Sequence, residues 1–228
     1  MLRLISVLAV VMSTSSVWAA DKALSSDKEK LGYAIGYQTT MQWAQGGLDI
    51  EASDIDMKAF VQAIKDGLKG KEPGLPVQDM QAAFQKLQGK MQARRAEAAN
   101  KNKVASEKWL AANKKKKGVK VTKSGLQYKV IKEGKGKKPG AGDKVRVHYR
   151  GSVTSGKEFD SSYSRNQPLE ISVGGVIPGW TEALQMMSEG SKWTIYIPAE
   201  LGYGVRGSGR SIGPNEALVF DVELLKVL

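Results

Sequence analysis

Residues 147–180 read VHYRGSVTSGKEFDSSYSRNQPLEISVGGVIPGW, and this stretch decides the fold. Val145, Val147 and Tyr149 alternate, so they share one face of a strand and His148 lies on the other. A Phe-Asp pair at 159–160, Arg165 and Trp180 follow within the same compact segment. Gly179 to Met187 reads as one short helix with Trp180, Leu184 and Met187 on a single side. Outward from this stretch, Gly125 to Ile131 alternates as a strand and Gly134 to Gly142 reads as a loop. Trp193–Ile197 and Leu218–Leu225 are further strand candidates. The coarse outcome is α+β, a twisted antiparallel sheet wrapped on one helix.

Composition removes several kinds of chemistry. The 228 residues include no Cys, which excludes disulfides, thiol catalysis and sulfur-ligated metals. His148 is the single histidine, so no histidine-rich metal site can form, and its place on the outer face of a strand points to a structural role. Formal net charge is +12, and it is concentrated: from Lys86 to Arg146 there are 20 Lys/Arg against 4 Asp/Glu. That band has aromatics only at its two ends, Trp109 and Tyr128, which is not the interleaving of a nucleic-acid stacking platform. A solvated basic helix and linker is the expectation, with no nucleic-acid partner and at most a weak anionic surface contact through Lys114–Lys117. At the N-terminus, Arg3, the apolar run Leu4 to Met12 and the small-residue exit Val17-Trp18-Ala19 read as a secretory signal peptide over 1–19. The run is too short for a stable membrane anchor.

Three helices are expected before the sheet. Ser26 with Glu29 forms a capping box, followed by Leu31, Ile35 and Met41 on a face interrupted by Gly32 and Gly36. Ser53 is the expected cap of the next helix, whose apolar residues are Met57, Phe60, Val61, Ile64 and Leu68. From Pro76 to about Asn113 a single long helix is predicted, about 57 Å in length. Val77, Met80, Phe84, Leu87 and Met91 in its front half are spaced as a coiled-coil seam. Its back half, polar on all sides, is expected to run through solvent as a rod. So little apolar surface makes an independent monomeric core doubtful on size grounds, and pairing of two chains would supply the rest. The predicted division is a helical dimerisation region at 20–75, a connecting helix at 76–115 and a β-rich domain at 116–228.

The ordered set Phe-Asp-Ser-Ser (159–162), Val-Ile-Pro-Gly-Trp (176–180), Ile-Pro-x-x-x-x-Tyr-Gly (197–204) and Phe-Asp-Val-Glu-Leu (220–224) resembles the FK506-binding-protein (FKBP) type of peptidyl-prolyl cis/trans isomerase. The resemblance covers roughly Ser124 to Leu228. It implies a pocket walled by Tyr149, Phe159, Val176, Ile177, Tyr203 and Phe220, with Trp180 as its floor. It also implies that Tyr203 and the Ile177 N–H bind substrate carbonyls, and that Asp160 forms a polar wall paired with Arg165. Tyr149, Asp160, Trp180, Tyr203 and Phe220 are the expected catalytic set, with no metal and no cofactor. Substrate contacts are expected from Phe159, Arg165, Leu169, Val176, Ile177 and Ile212.

Departures from the family pattern are specific. Leu169 stands where small cytosolic members carry Phe, and Ser208 replaces a common His. Residues 211–214 read Ser-Ile-Gly-Pro instead of Ile-Ile-Pro-Pro, which leaves Ile212 as the expected apolar tip of that loop. The segment after Gly174 is shorter by about two residues. These changes bear on inhibitor affinity and substrate preference more than on activity.

With the helical N-terminal region, VIPGWTEALQ at 176–185 and IGPNEALVF at 212–220, the chain is similar to the macrophage infectivity potentiator (Mip) type of bacterial FKBP. That similarity implies a homodimer with two isomerase domains held apart by the long helices. It implies action on proline-containing unfolded or secreted polypeptides in the periplasm or cell envelope, and inhibition by FK506- or rapamycin-type macrolides. Two other readings stay open at this point: a non-catalytic holdase, and a surface adhesion factor that binds a proline-rich host protein.

Overall fold

The computed structural model describes residues 24–46, 48 and 50–228, and the predicted signal peptide lies outside the described residues. Helix α1 spans Asp27–Gln45. Its start is the predicted capping box: the Glu29 N–H donates to Ser26 Oγ at 3.2 Å, and the Ser26 N–H donates back to the Glu29 carboxylate at 2.9 Å. Amide donors from Ser26 and Ser25 hold the Glu29 carboxyl down at about 2. The helix runs through Gly32 and Gly36 and leaves Leu31 and Ile35 exposed at 62% and 57%.

Helix α2 covers Met57–Leu68 and is capped by Asp56, whose carboxylate accepts the Ala59 N–H at 2.8 Å. Ser53, the expected cap, lies instead in a one-turn 3-10 helix at Ala52–Asp54. Ile55 is extended (φ −129°, ψ 145°), so the chain cannot enter α2 until after it, and only Asp56 adjoins the first turn. Met57, Val61, Ile64 and Leu68 recur at helical spacing as expected, and all four are exposed.

Helix α3 runs Val77–Asn113, 37 residues or about 55 Å. Its back half is not a free rod. From Arg95 onward it lies against the sheet domain: Trp109 packs on Tyr196 with ring centroids 5.7 Å apart, and Asn113 Nδ2 donates to Gln127 Oε1 at 3.0 Å. Gln127 Nε2 in turn donates to the Leu110 carbonyl at 3.0 Å. Ser106 and Asn113 are buried. Much of this docking is by hydrogen bonds between buried polar groups, which hydrophobic periodicity does not reveal.

The sheet contains β1 (Val119–Val121), β2 (Gln127–Lys132), β3 (Lys144–Val153), β4 (Glu158–Ser161), β5 (Leu169–Ser172), β6 (Lys192–Ile197) and β7 (Leu218–Val227). Their order is β1-β2-β6-β7-β3-β4, with β5 paired on β3, and every pairing is antiparallel. The short strands β1, β4 and β5 have three or four residues each, too few for alternation to register in sequence. Helix α4, Pro178–Met186, lays Trp180, Ala183 and Leu184 on the concave face, where Val145, Val147, Ile195, Val222 and Leu224 complete the core. Gly179 makes this approach possible, because a Cβ there would stand 2.6 Å from Ile197 Cγ2. On the outer face His148 stacks on Tyr163 at 4.7 Å and contacts Ser162 Oγ through Nδ1 at 2.9 Å, a packing role.

Candidate active site

Four aromatic rings converge above the concave face. Trp180 meets Tyr149 edge to face at 5.4 Å and Phe220 at 5.2 Å, and Phe159 meets Phe220 at 5.5 Å. Such T-shaped pairs favour one mutual arrangement of the rings, so the box is preorganised. Strand β3 supplies Tyr149, β4 supplies Phe159, α4 supplies Trp180 and β7 supplies Phe220. Val176 and Ile177, half-buried just before α4, pack against the same cluster. Trp180 is only 5% exposed, so a ligand would meet a small part of its surface.

One polar group closes the side of the box. Arg165 pairs with Asp160 through Nη1 and donates from Nη2 to the Tyr149 hydroxyl at 2.8 Å, while that hydroxyl donates to the other Asp160 oxygen. The three side chains therefore orient one another. Burial pushes the Tyr149 phenol up, and the adjacent carboxylate pushes it further. Burial alone would raise Asp160 as well, but hydrogen bonds from Tyr149 and Arg165, with the guanidinium charge, outweigh it and hold the carboxyl below its ordinary value. At neutral pH the group is thus an ionised carboxylate, a protonated phenol and a guanidinium.

The remaining predicted residues stand at the rim or beneath it. Tyr203, at 37% exposure, opens the segment from 203 to 217. Leu169 is also 37% exposed and borders, with Arg165, Gln167 and Pro168, a depression of about 600 Å3 beside the aromatic box. Ile212 is not an exposed apolar tip. It is 5% exposed, pairs with Ser208 and joins the core cluster that includes Trp180 and Phe220. Relative to the Ile-Ile-Pro-Pro pattern, Ser211 and Gly213 stand for one isoleucine and one proline while Pro214 is kept, so Ile212 is the loop's apolar anchor.

Two contributors escaped the reading of the sequence. Gly151 lets β3 pass under the rings, since a Cβ would stand 2.5 Å from Phe220 Cε1 and 2.8 Å from Phe159 Cζ. Ser162, fully buried, accepts the Tyr149 N–H at 2.8 Å and donates to the Tyr149 carbonyl at 3.2 Å. Ser162 lies inside the quoted Phe-Asp-Ser-Ser motif, so the signal was present without a role attached. Among the described residues, no group of three His, Asp or Glu side chains could share a metal ion.

This geometry suits rotation about an X–Pro amide. The barrier is about 18–20 kcal/mol, set by lost amide resonance, and no bond to an atom is made or broken. A site needs only to bind the twisted amide better than the planar one. A water-poor aromatic box with a rigid polar wall can do that.

Comparison with known proteins gives the class. Residues 135–225 match the family described as FKBP-type peptidyl-prolyl cis-trans isomerase, and residues 28–130 match the domain amino-terminal to it. The chain belongs to the FKBP family of peptidyl-prolyl cis-trans isomerases, in the form that carries this amino-terminal domain. It is 38% identical over 226 residues to the outer membrane protein MIP of Legionella longbeachae, covering 97% of this chain and 95% of the relative. Identity is 44% to the FKBP-type 22 kDa peptidyl-prolyl cis-trans isomerase of Escherichia coli K12, covering 86% and 93%. The crystal structure of FkpA from Escherichia coli superposes with a TM-score of 0.64 at 36% identity, covering 90% of this chain and 98% of that one. Among the described residues no helix is long and apolar enough to cross a membrane.

Proposed function

We propose that the chain acts as an exported homodimer that isomerises X–Pro bonds in unfolded or secreted polypeptides of the periplasm or cell envelope. The observation that carries this reading is the aromatic box walled by the Asp160–Tyr149–Arg165 group. The proline ring packs on the exposed part of Trp180, between Phe159, Val176 and Phe220. Tyr203 donates to one substrate carbonyl and the Ile177 N–H to its neighbour, which fixes the chain on both sides of the rotating bond. The twisted amide loses charge separation, so the water-poor box favours it over the planar ground state. Macrolides of the FK506 and rapamycin type compete for the same box.

Pairing of two chains is supported by apolar residues left open on each helix before the sheet. Leu31 and Tyr37 on α1, Leu68 on α2 and Phe84 on α3 are all more than half exposed. Two joined sites would gain avidity for a long client. The same open residues favour a second reading, in which they hold unfolded chains without catalysis.

Isomerisation of a short X–Pro peptide, compared between the parent and a Tyr203→Phe, Asp160→Leu double variant, tests the proposal. The parent should be active and the variant should lose about 100-fold in kcat/KM. A folded but inactive parent would sink the catalytic reading. Full suppression of aggregation by the inactive variant would move the holdase reading to the front.

A further inference from the structure

The segment from Gly204 to Ala217 carries part of the pocket yet has little ladder of its own. Its internal ties include the Ser208–Ile212 bridge, the Gly207 N–H on the Gly204 carbonyl at 3.4 Å, the Asn215 N–H on the same carbonyl at 2.8 Å and the Gly213 N–H on Glu216 at 2.7 Å. Besides Ile212, which is seated in the core cluster, its outside support comes from α3. Ser106 Oγ donates to the Asn215 carbonyl at 3.0 Å and accepts the Ala217 N–H at 2.9 Å. Asn102 Nδ2 donates to the Pro214 carbonyl at 2.9 Å, and Asn215 Nδ2 donates to the Ala99 carbonyl at 3.2 Å. Further up the helix, Arg95 Nη2 donates to the Arg206 carbonyl at 2.6 Å.

These contacts come from residues 95, 99, 102 and 106, spaced by four, three and four, so they form one stripe on one helix face. They converge where the loop backbone is least ordinary. Asn215 holds φ at +57°, in the left-handed region, and both its carbonyl and its side chain are tied to α3. Gly213 has no side chain where Asn102 approaches, and a Cβ there would stand 2.7 Å from Asn102 Nδ2.

We propose that Asn102 and Ser106 are positioning residues for isomerisation: they clamp the 204–217 loop so that Tyr203 at its entry and Ile212 within it keep their places against the aromatic box. The proposal rests on the reading of Tyr203 and Ile212 as pocket residues. Neither Asn102 nor Ser106 touches the substrate. Each acts through the loop backbone, which reaches Tyr203 through the Gly207 N–H on its carbonyl and through the Asn215–Gly204 tie. The connecting helix therefore belongs to the isomerase site as well as to the link between domains.

The test uses the full chain and the isosteric pair Ser106→Val and Ser106→Thr, which differ by the hydroxyl alone. Ser106→Val should lose about tenfold in kcat/KM, carried mainly by kcat, while Ser106→Thr stays within about twofold of the parent. Asn102→Ala should lose about threefold, and Lys103→Ala, on the exposed side, should change nothing. Hydrogen exchange at the Ala217 and Asn215 amides should quicken in Ser106→Val and Asn102→Ala, and the thermal midpoint of Ser106→Val should fall below those of the parent and Ser106→Thr, because its buried Ala217 amide loses its acceptor. Equal activity of the Val and Thr variants would overturn the proposal. So would faster loop exchange with activity intact, because the loop would then be held without mattering to catalysis. An inactive parent would refute the pocket reading and this proposal with it, whereas an active parent with unchanged variants would refute the clamp alone.

Discussion

The two halves of α3 present the same face of one helix, yet Val77 and Phe84 near its start are 63% and 64% exposed while Ser106 and Asn113 near its end are 6% and 1% exposed. At 3.6 residues per turn, positions 77, 84, 95, 102, 106 and 113 fall along one line of a straight helix. The front of that line is apolar and open; the back is polar and covered. Burial along this helix follows the partner available, not the hydrophobicity of the residue. The back half meets loop carbonyls and the Gln127 amide, groups that must be satisfied once covered, and hydroxyl and amide side chains satisfy them. The front half carries the pattern of a seam and, within the one chain, leaves Val77 and Phe84 exposed and Met80, Leu87 and Met91 half-buried.

The largest expected effect would break this contrast at its front. In a chain with Met80→Asp and Phe84→Asp, the proposed dimer should weaken by more than about 100-fold, since two buried charges oppose pairing. Peptide isomerisation per chain should stay within about twofold. Sedimentation at micromolar concentration reads the mass, and an unchanged dimer would mean that the apolar line is not the interface.

Next comes the back of the line. Asn113→Ala strands the buried Gln127 Oε1 and should cost about 2 kcal/mol, or about 4–8 °C in thermal midpoint. Glu107→Ala, exposed on the same helix, should cost less than about 0.5 kcal/mol. Equal effects at the two positions would show that the polar line is not what holds the helix to the sheet.

The pH dependence sharpens the contrast between the box and a titrating active site. Asp160 is depressed, so its stabilising contribution is present above its unfolded value and is lost only as pH falls through the lower folded value. Tyr149 is raised and stays protonated beyond its ordinary value near 10. Isomerase activity should therefore be flat from about pH 5 to 9 and fall only in acid. A bell-shaped profile centred near neutrality would point to a general acid or base that the geometry does not contain. The smallest effect is at α1, where Ser26→Ala should cost about 0.5–1 kcal/mol of local helix stability, read by hydrogen exchange of the first turn.

Much of the pocket was legible because its residues are held by short motifs. Trp180 sits in the first turn of a helix announced by Val-Ile-Pro-Gly, and Phe220 alternates with Leu218, Val222 and Leu224 on the buried face of its strand. The cap of α2 lies three residues beyond the expected Ser53; both positions carry good cap residues, and nothing in the sequence marks the extended Ile55 before Asp56. Ile212 reads as the loop's apolar tip from comparison with the Ile-Ile-Pro-Pro pattern, and the sequence gives no sign that its side chain is buried in the core.

The sequence by itself determined the helical and β-rich segments, which rest on periodicity, and the family, through the resemblance of its ordered motifs, which in turn implied the aromatic set. Tertiary structure alone decided what covers the polar end of α3 and where Ile212 goes. Both depend on hydrogen bonds and packing between separate elements, such as Ser106 with Asn215. Backbone carbonyls, the partners in those bonds, are the same in every residue and leave no trace in the order of side chains.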